Sequence, residues 1–257
     1  MAADRRYMIV DGELLAWQPR EGAYIYQYIH TLDYKLRNAE RHIEILQALS
    51  QELFGLECNL TVEELMEQAE RLFMATRPSR QRSIRIIAKQ YASGSYSIDC
   101  DTPSLYQGYT LRSLRPEMAT MRVTMPLEIY PTSAAVATRE VAESIARSRD
   151  FHAALLMGDD EQIYSESTSP VALVQGRRLL LAPQPYSVEQ ELVEQAARNA
   201  NIEMERRTLY REDVLKADEV LTVDWQGITA ADKVDGKQYM AIIAERLARE
   251  MERVSKQ

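Results

Sequence analysis

The 257-residue chain is short of several things at once. It has two cysteines, nine glycines, nine prolines and three histidines, and only 7% of its residues are aromatic. Cys58 and Cys100 stand apart, without the paired spacing of a zinc site, so they read as reduced thiols rather than a disulfide or a metal centre. His30, His42 and His152 have no ligand spacing between them, and no metal is expected. Positive charge is in deficit: 31 Lys and Arg against 39 Asp and Glu leave a net charge of -8. A phosphate-binding surface needs the opposite sign, so nucleic acid is excluded as a partner. No apolar run approaches the ~20 residues of a membrane span. The start, "MAADRRYMIVDGELLAW", has no apolar core of signal-peptide length. A cytoplasmic protein with no membrane partner is the expectation. Gly-rich phosphate loops and the Gly-x-Ser-x-Gly elbow are missing too.

What is present is 46% hydrophobic residues, enough for a sizeable core. "RRYMIVDGELLAW" predicts two strands around an Asp11-Gly12 turn. "AYIYQYIH" alternates Tyr24, Tyr26 and Tyr28 on one strand face. These tyrosines either line a pocket or pack as half-buried strand residues. "NAERHIEILQALSQELFG" predicts a helix capped by Asn38 and stopped by Gly55, with His42 packed near the core. A second helix follows the Thr61–Glu64 capping box and ends before Pro78. "SIRIIAKQYA", "YSIDC" and "MRVTMPLEIY" read as strands. A stretch of low periodicity at "LRSLRPEMATMR" places the domain boundary, giving domains 1–118 and 119–257. Arg112, Arg115 and Arg122 lie there; they are expected in salt bridges, with a carboxylate ligand as the other reading.

The second half begins with a helix at "SAAVATREVAESIARSRD" and a strand at "HAALLM". "IYSESTSPVALVQGRRLLLAP" then reads as three short strands. Ser187 starts the next helix, with Gln190 closing a capping box. "NIEMERRTL" is strand-like, and "YREDVLKADEVLTVDW" is a short helix running into a strand. "GKQYMAIIAERLAREMERVSKQ" predicts a long amphipathic terminal helix. Helices mixed with hairpin-joined strands indicate an α+β fold in two layers, not a doubly wound parallel sheet.

The element order after residue 130 resembles the class IV, fold-type IV, pyridoxal-phosphate family. That family includes branched-chain and D-amino-acid aminotransferases and aminodeoxychorismate lyase. Its Glu-x-x-Ser-Asn segment, short strand, Gly and later Thr-Pro are similar to Glu166-Ser167-Thr168-Ser169-Pro170, "VALVQG" and Ala182-Pro183. Its Ala-Asp-Glu-Val segment matches Ala217 to Val220, and its His-x-x-Arg-Leu helix resembles "ERHIEILQALSQELFG". The resemblance implies a two-domain scaffold, a ligand cleft between the domains and a homodimer.

Such enzymes need a lysine for the Schiff base, an acid at the pyridine nitrogen and a cationic, amide-lined phosphate site. By the resemblance Glu166 is the pyridine partner, with Ser167 beside it; otherwise it is a solvated strand-end acid. The lysine's place falls within one residue of Thr132, where Pro131, Thr132 and Ser133 stand. No lysine lies between Lys89 and Lys216. The signature arginine is replaced by Ile45. The family's Gly-Ile-Thr helix start aligns with Ser187-Val188-Glu189, and its later Gly-Thr loop aligns with Asp224-Trp225. Each replacement puts a carboxylate where a phosphate would rest. Two like charges at ~4 Å repel by about 4 kcal/mol at an effective dielectric of ~20. The expectation is a pseudoenzyme or repurposed ligand-binding member with no cofactor. The alternative is a working pyridoxal-phosphate aminotransferase or aminodeoxychorismate-type lyase using Lys89. Cofactor-free acid–base work with Glu166 is a third option, without a second partner in the sequence.

Overall fold

Asp11 and Gly12 both take positive φ, 48° and 85°, as a two-residue hairpin turn demands. They join β1 (Tyr7–Val10) to β2 (Glu13–Ala16). This computed structural model describes residues 6–100, 103–127, 130–165 and 169–256. They form two compact units, Met1–Gly108 and Tyr109–Gln257. The division comes earlier than 118/119 because Thr110 and Leu111 pair with a strand of the second unit.

In the first unit β3 (Tyr24–Leu32), β4 (Lys35–Leu36), β5 (Ile84–Tyr91) and β6 (Tyr96–Cys100) join the hairpin in one antiparallel sheet, ordered β2-β1-β6-β5-β3-β4. Helices α1 (Ala39–Leu49) and α2 (Val62–Thr76) pack against it. His42 on α1 is buried, with Nδ1 2.8 Å from the Gln27 Oε1 acceptor. Gln27 alternates with Tyr24, Tyr26 and Tyr28, so the tyrosines occupy the face away from α1. The Thr61–Glu64 capping box forms in both directions. Asn38 does not cap α1 as expected. It sits at φ 54°, in the left-handed region, and its side chain makes no cap hydrogen bond. The α-helix also ends before Gly55: Ser50–Phe54 form a π turn, and Gly55 closes that at φ 64°.

The second unit holds β7 (Thr110–Leu111), β8 (Glu117–Arg122), α3 (Ser133–Arg147), β9 (Ala153–Met157), β10 (Val171–Gln175), β11 (Arg178–Leu181) and α4 (Val188–Asn199). It continues with β12 (Glu203–Arg206), α5 (Arg211–Lys216), β13 (Glu219–Asp224), β14 (Gly227–Ala230), β15 (Lys233–Val234), β16 (Lys237–Gln238) and α6 (Ile242–Val254). Two mixed sheets result, ordered β12-β11-β10-β13-β14-β7 and β16-β15-β8-β9. The α+β reading therefore holds.

Three expectations fail here for local reasons. Strand β8 stops at Arg122, short of "MPLEIY", because Pro126 has no amide to pair and Leu127 turns left-handed at φ 57°. The stretch from Ile163 makes only a single bridge, Met157 to Ile163, before β10 and β11. The terminal helix starts at Ile242 rather than near Gly236, since Lys237 and Gln238 fold back on β15.

What starts α6 is a buried acid. Glu219, on β13, accepts the amides of Ile242 and Ile243 on Oε1 at 2.7 Å and that of Ala244 on Oε2 at 2.9 Å. Three otherwise orphaned first-turn amides are satisfied by one negative charge at the positive end of the helix. Helix α6 then packs on α4, β7 and β14. Glu219→Ala is expected to lower unfolding stability by about 3 kcal/mol, because charge-assisted bonds are lost and buried amides are left bare. Chemical denaturation of the two proteins checks this. Gly227, at φ 118°, backs onto the Thr110 backbone so closely that any Cβ would overlap it. Gly227→Ala is expected to cost about 2 kcal/mol or more, read as a lowered melting temperature.

Candidate functional site

The residues that the sequence singled out fall in both units. Tyr24, Tyr26 and Tyr28 form a contiguous aromatic row in the first unit, with ring centroids 6.2 and 4.7 Å apart. Lys89 lies opposite Tyr26 in the sheet register. Its Nζ stands 5.0 Å from the Tyr24 ring centre and 3.9 Å from Oδ2 of buried Asp99. Burial holds the Lys89 amine below its usual pKa, and Asp99 opposes that shift. Arg6 takes the other Asp99 oxygen at 2.8 Å.

In the second unit the ends of α3 and α4 are brought side by side. Tyr130, two residues before Thr132, stacks on Tyr186, one before Ser187, with centroids 5.3 Å apart. Thr132 is the N-cap of α3, and its buried hydroxyl accepts the amide of Ala135 at 3.3 Å. Pro131 precedes that cap, and Ser133 is the first residue of the helix. Ser165 also joins this region: Gln184 Nε2 donates to its carbonyl, and its hydroxyl accepts the Val171 amide at 2.8 Å. Glu166 and Ser167, the next residues, lie outside the described residues.

Ser187 caps α4 as expected, its hydroxyl accepting the Gln190 amide at 3.1 Å. Gln190 does not return the bond to the cap; its Nε2 donates to Glu194 at 3.0 Å. The unforeseen residue is Glu189. It is 2% exposed, although it carries a carboxyl group. The Ser187 hydroxyl donates to its Oε2 at 3.4 Å, while its Oε1 has no partner among the described residues. Burial pushes the carboxyl up to about 8. The Asp224 charge pushes the same way, while its own amide and Ser187 pull it back. At pH 7 Glu189 is therefore mostly a neutral acid.

Asp224 closes the turn between β13 and β14, accepting the Gln226 amide at 2.7 Å. Arg112 meets it at 3.4 Å and donates to Thr229 at 3.2 Å. Arg115 pairs with Asp232 at 3.6 Å, and Arg122 with Glu161 at the same distance. All three arginines are thus in the salt bridges expected of them. His30 is buried beside Ser83, and His152 accepts the Glu117 amide. Both cysteines are free and buried. Among the described residues no cluster could hold a metal ion, and no helix is long and apolar enough to cross a membrane.

No family model matches the sequence, and no curated protein matches it either. Solved structures do. The branched-chain aminotransferase of Thermoproteus uzoniensis, solved with norvaline, superimposes with a TM-score of 0.80 over 98% of this chain and 95% of its own, at 18% identity. The fold is that of the branched-chain aminotransferases. The Escherichia coli enzyme gives a TM-score of 0.76 at 16% identity, over 95% of this chain and 92% of its own. A Brucella abortus aminotransferase, bound to the cofactor PLP, gives 0.79 at 14% identity, over 98% of this chain and all of its own. The resemblance in element order is thus a shared fold-type IV architecture.

The buried acid predicts a pH dependence. A carboxyl raised from its ordinary 4.5 to about 8 keeps its proton in the native state after the unfolded chain has lost it. Stability therefore falls as pH rises from about 4.5 to about 8, then levels off. Glu189→Gln is expected to stabilise the protein little at pH 5 and increasingly up to pH 8. Melting temperatures of both proteins across that range test it; parallel curves would contradict a buried neutral carboxyl.

Proposed function

We propose that this chain uses the aminotransferase fold without its Schiff-base chemistry, as a ligand-binding member of that architecture. Thr132 carries the reading. The resemblance puts the lysine within one residue of it, and its hydroxyl is committed to capping α3. No lysine lies between Lys89 and Lys216 to take over. The relatives in the fold were solved with pyridoxal or pyridoxamine phosphates, among them a Thermus-type branched-chain enzyme carrying N-(5'-phosphopyridoxyl)-L-glutamate. The start of α4 argues against such a phosphate here. Its first turn already holds the orphaned, buried carboxyl of Glu189, with the Asp224 charge nearby. A phosphate would lose the free amides it needs there and gain acidic neighbours. The group therefore does not fit these residues. A homodimer and a cytoplasmic setting complete the reading.

A working pyridoxal-phosphate enzyme is the second reading, and one observation favours it. Lys89 is half-buried with a lowered pKa, which raises the share of free amine available for attack. The two readings separate in a cuvette. With added pyridoxal phosphate, the first expects no retained yellow colour after desalting and no borohydride-trapped adduct. A stable adduct mapped by mass spectrometry to Lys89, and lost in Lys89→Met, would establish the second.

A further inference from the structure

Outside the region around α4 the second unit has an open groove of about 550 Å³, and three arginines line it. They come from separate elements: Arg122 from the end of β8, Arg149 from the turn after α3, and Arg211 from the start of α5. Thr120 and Met157 form part of the floor. One acid, Glu161, faces them, 3.6 Å from Arg122. Arg149 and Arg211 have no side-chain partner among the described residues. Three guanidinium groups against one carboxylate leave an excess of two positive charges, on a chain whose net charge is -8.

The groove is built rather than incidental. Segment 161–163 pairs with 209–211 through Ile163 N to Leu209 O at 2.8 Å and Arg211 N to Glu161 O at 2.9 Å. That pairing fixes Arg211 against Glu161. Thr120 is held by Asp235, which accepts both its amide, at 2.8 Å, and its hydroxyl. Met157 stands opposite Arg122 in the parallel β8–β9 register. Arg149 follows directly on the end of α3, its amide bonded to Ala146 O at 3.0 Å. The arginine stems are thus carried on hydrogen-bonded backbone, with their forked donors free to close on a ligand.

We infer that this groove binds a phosphate group carried by a small molecule. A phosphate ester carries nearly two negative charges at pH 7 and three acceptor oxygens. That matches the charge excess and offers each unpaired fork a bidentate partner. Glu161 is the gate on this balance: it holds Arg122 in place and competes with the ligand for it. The inference uses none of the residues around α4 and stands independently of the reading given to them.

Isothermal titration of the full chain with inorganic phosphate, at low ionic strength, is the test. Saturable one-site binding is expected, weakened by added sodium chloride. Arg149→Ala and Arg211→Ala should each weaken it about tenfold, the loss of one charge-assisted contact. Glu161→Gln should tighten it, a gain that loss of fold cannot produce. Absence of saturable binding would overturn the inference. So would binding unchanged in the Arg149→Ala/Arg211→Ala double variant, since the phosphate would then sit elsewhere on the molecule.

Discussion

The second unit depends on one carboxylate, that of Glu219. Placed on a central strand and buried, it gathers the first three amides of α6. A helix start is a concentration of unpaired donors, and an interior position makes each of them expensive to leave bare. Glu219 settles that debt and fixes where α6 begins. Helix α6 in turn packs on α4 and along β14 and β7, and its Glu252 accepts the Tyr109 amide at 2.7 Å. The position of α4, and so of Ser187 and Glu189, is inherited from that contact.

The same physical motif, a carboxyl group at a helix start, appears twice with opposite outcomes. Glu219 comes from another element and satisfies three amides. Glu189 belongs to its own helix, meets Ser187, and leaves one oxygen without a partner. The difference lies in compensation rather than burial, since both residues are 2% exposed. Burial without compensation is what raises the Glu189 pKa.

Much of this was legible in the chain because it is local. The Asp11-Gly12 turn, the Thr61–Glu64 box, the Ser187 cap and the alternation of Tyr24, Tyr26 and Tyr28 are each set by a few neighbouring residues. Errors arose where backbone angle or tertiary pairing overrode composition. Asn38 has the chemistry of a cap but takes a left-handed conformation. "MPLEIY" has the composition of a strand, but Pro126 and Leu127 cannot continue one. Of the site, the absence of a lysine near Thr132 is plain in the sequence. That Glu189 is buried, or that Arg122, Arg149 and Arg211 share a groove, depends on segments far apart in the chain. No spacing rule links them.

Glu189 has a further consequence, in terms of competition. A side chain attached at a helix's first turn cannot diffuse away, so its effective concentration there does not fall on dilution. Any anion arriving from solution would have to displace a tethered rival, not fill an open seat. Ionising that rival in place costs the fold stability, so raising the pH does not simply open the position. The helix start is thereby withdrawn from the pool of binding surfaces by a residue that uses it poorly itself.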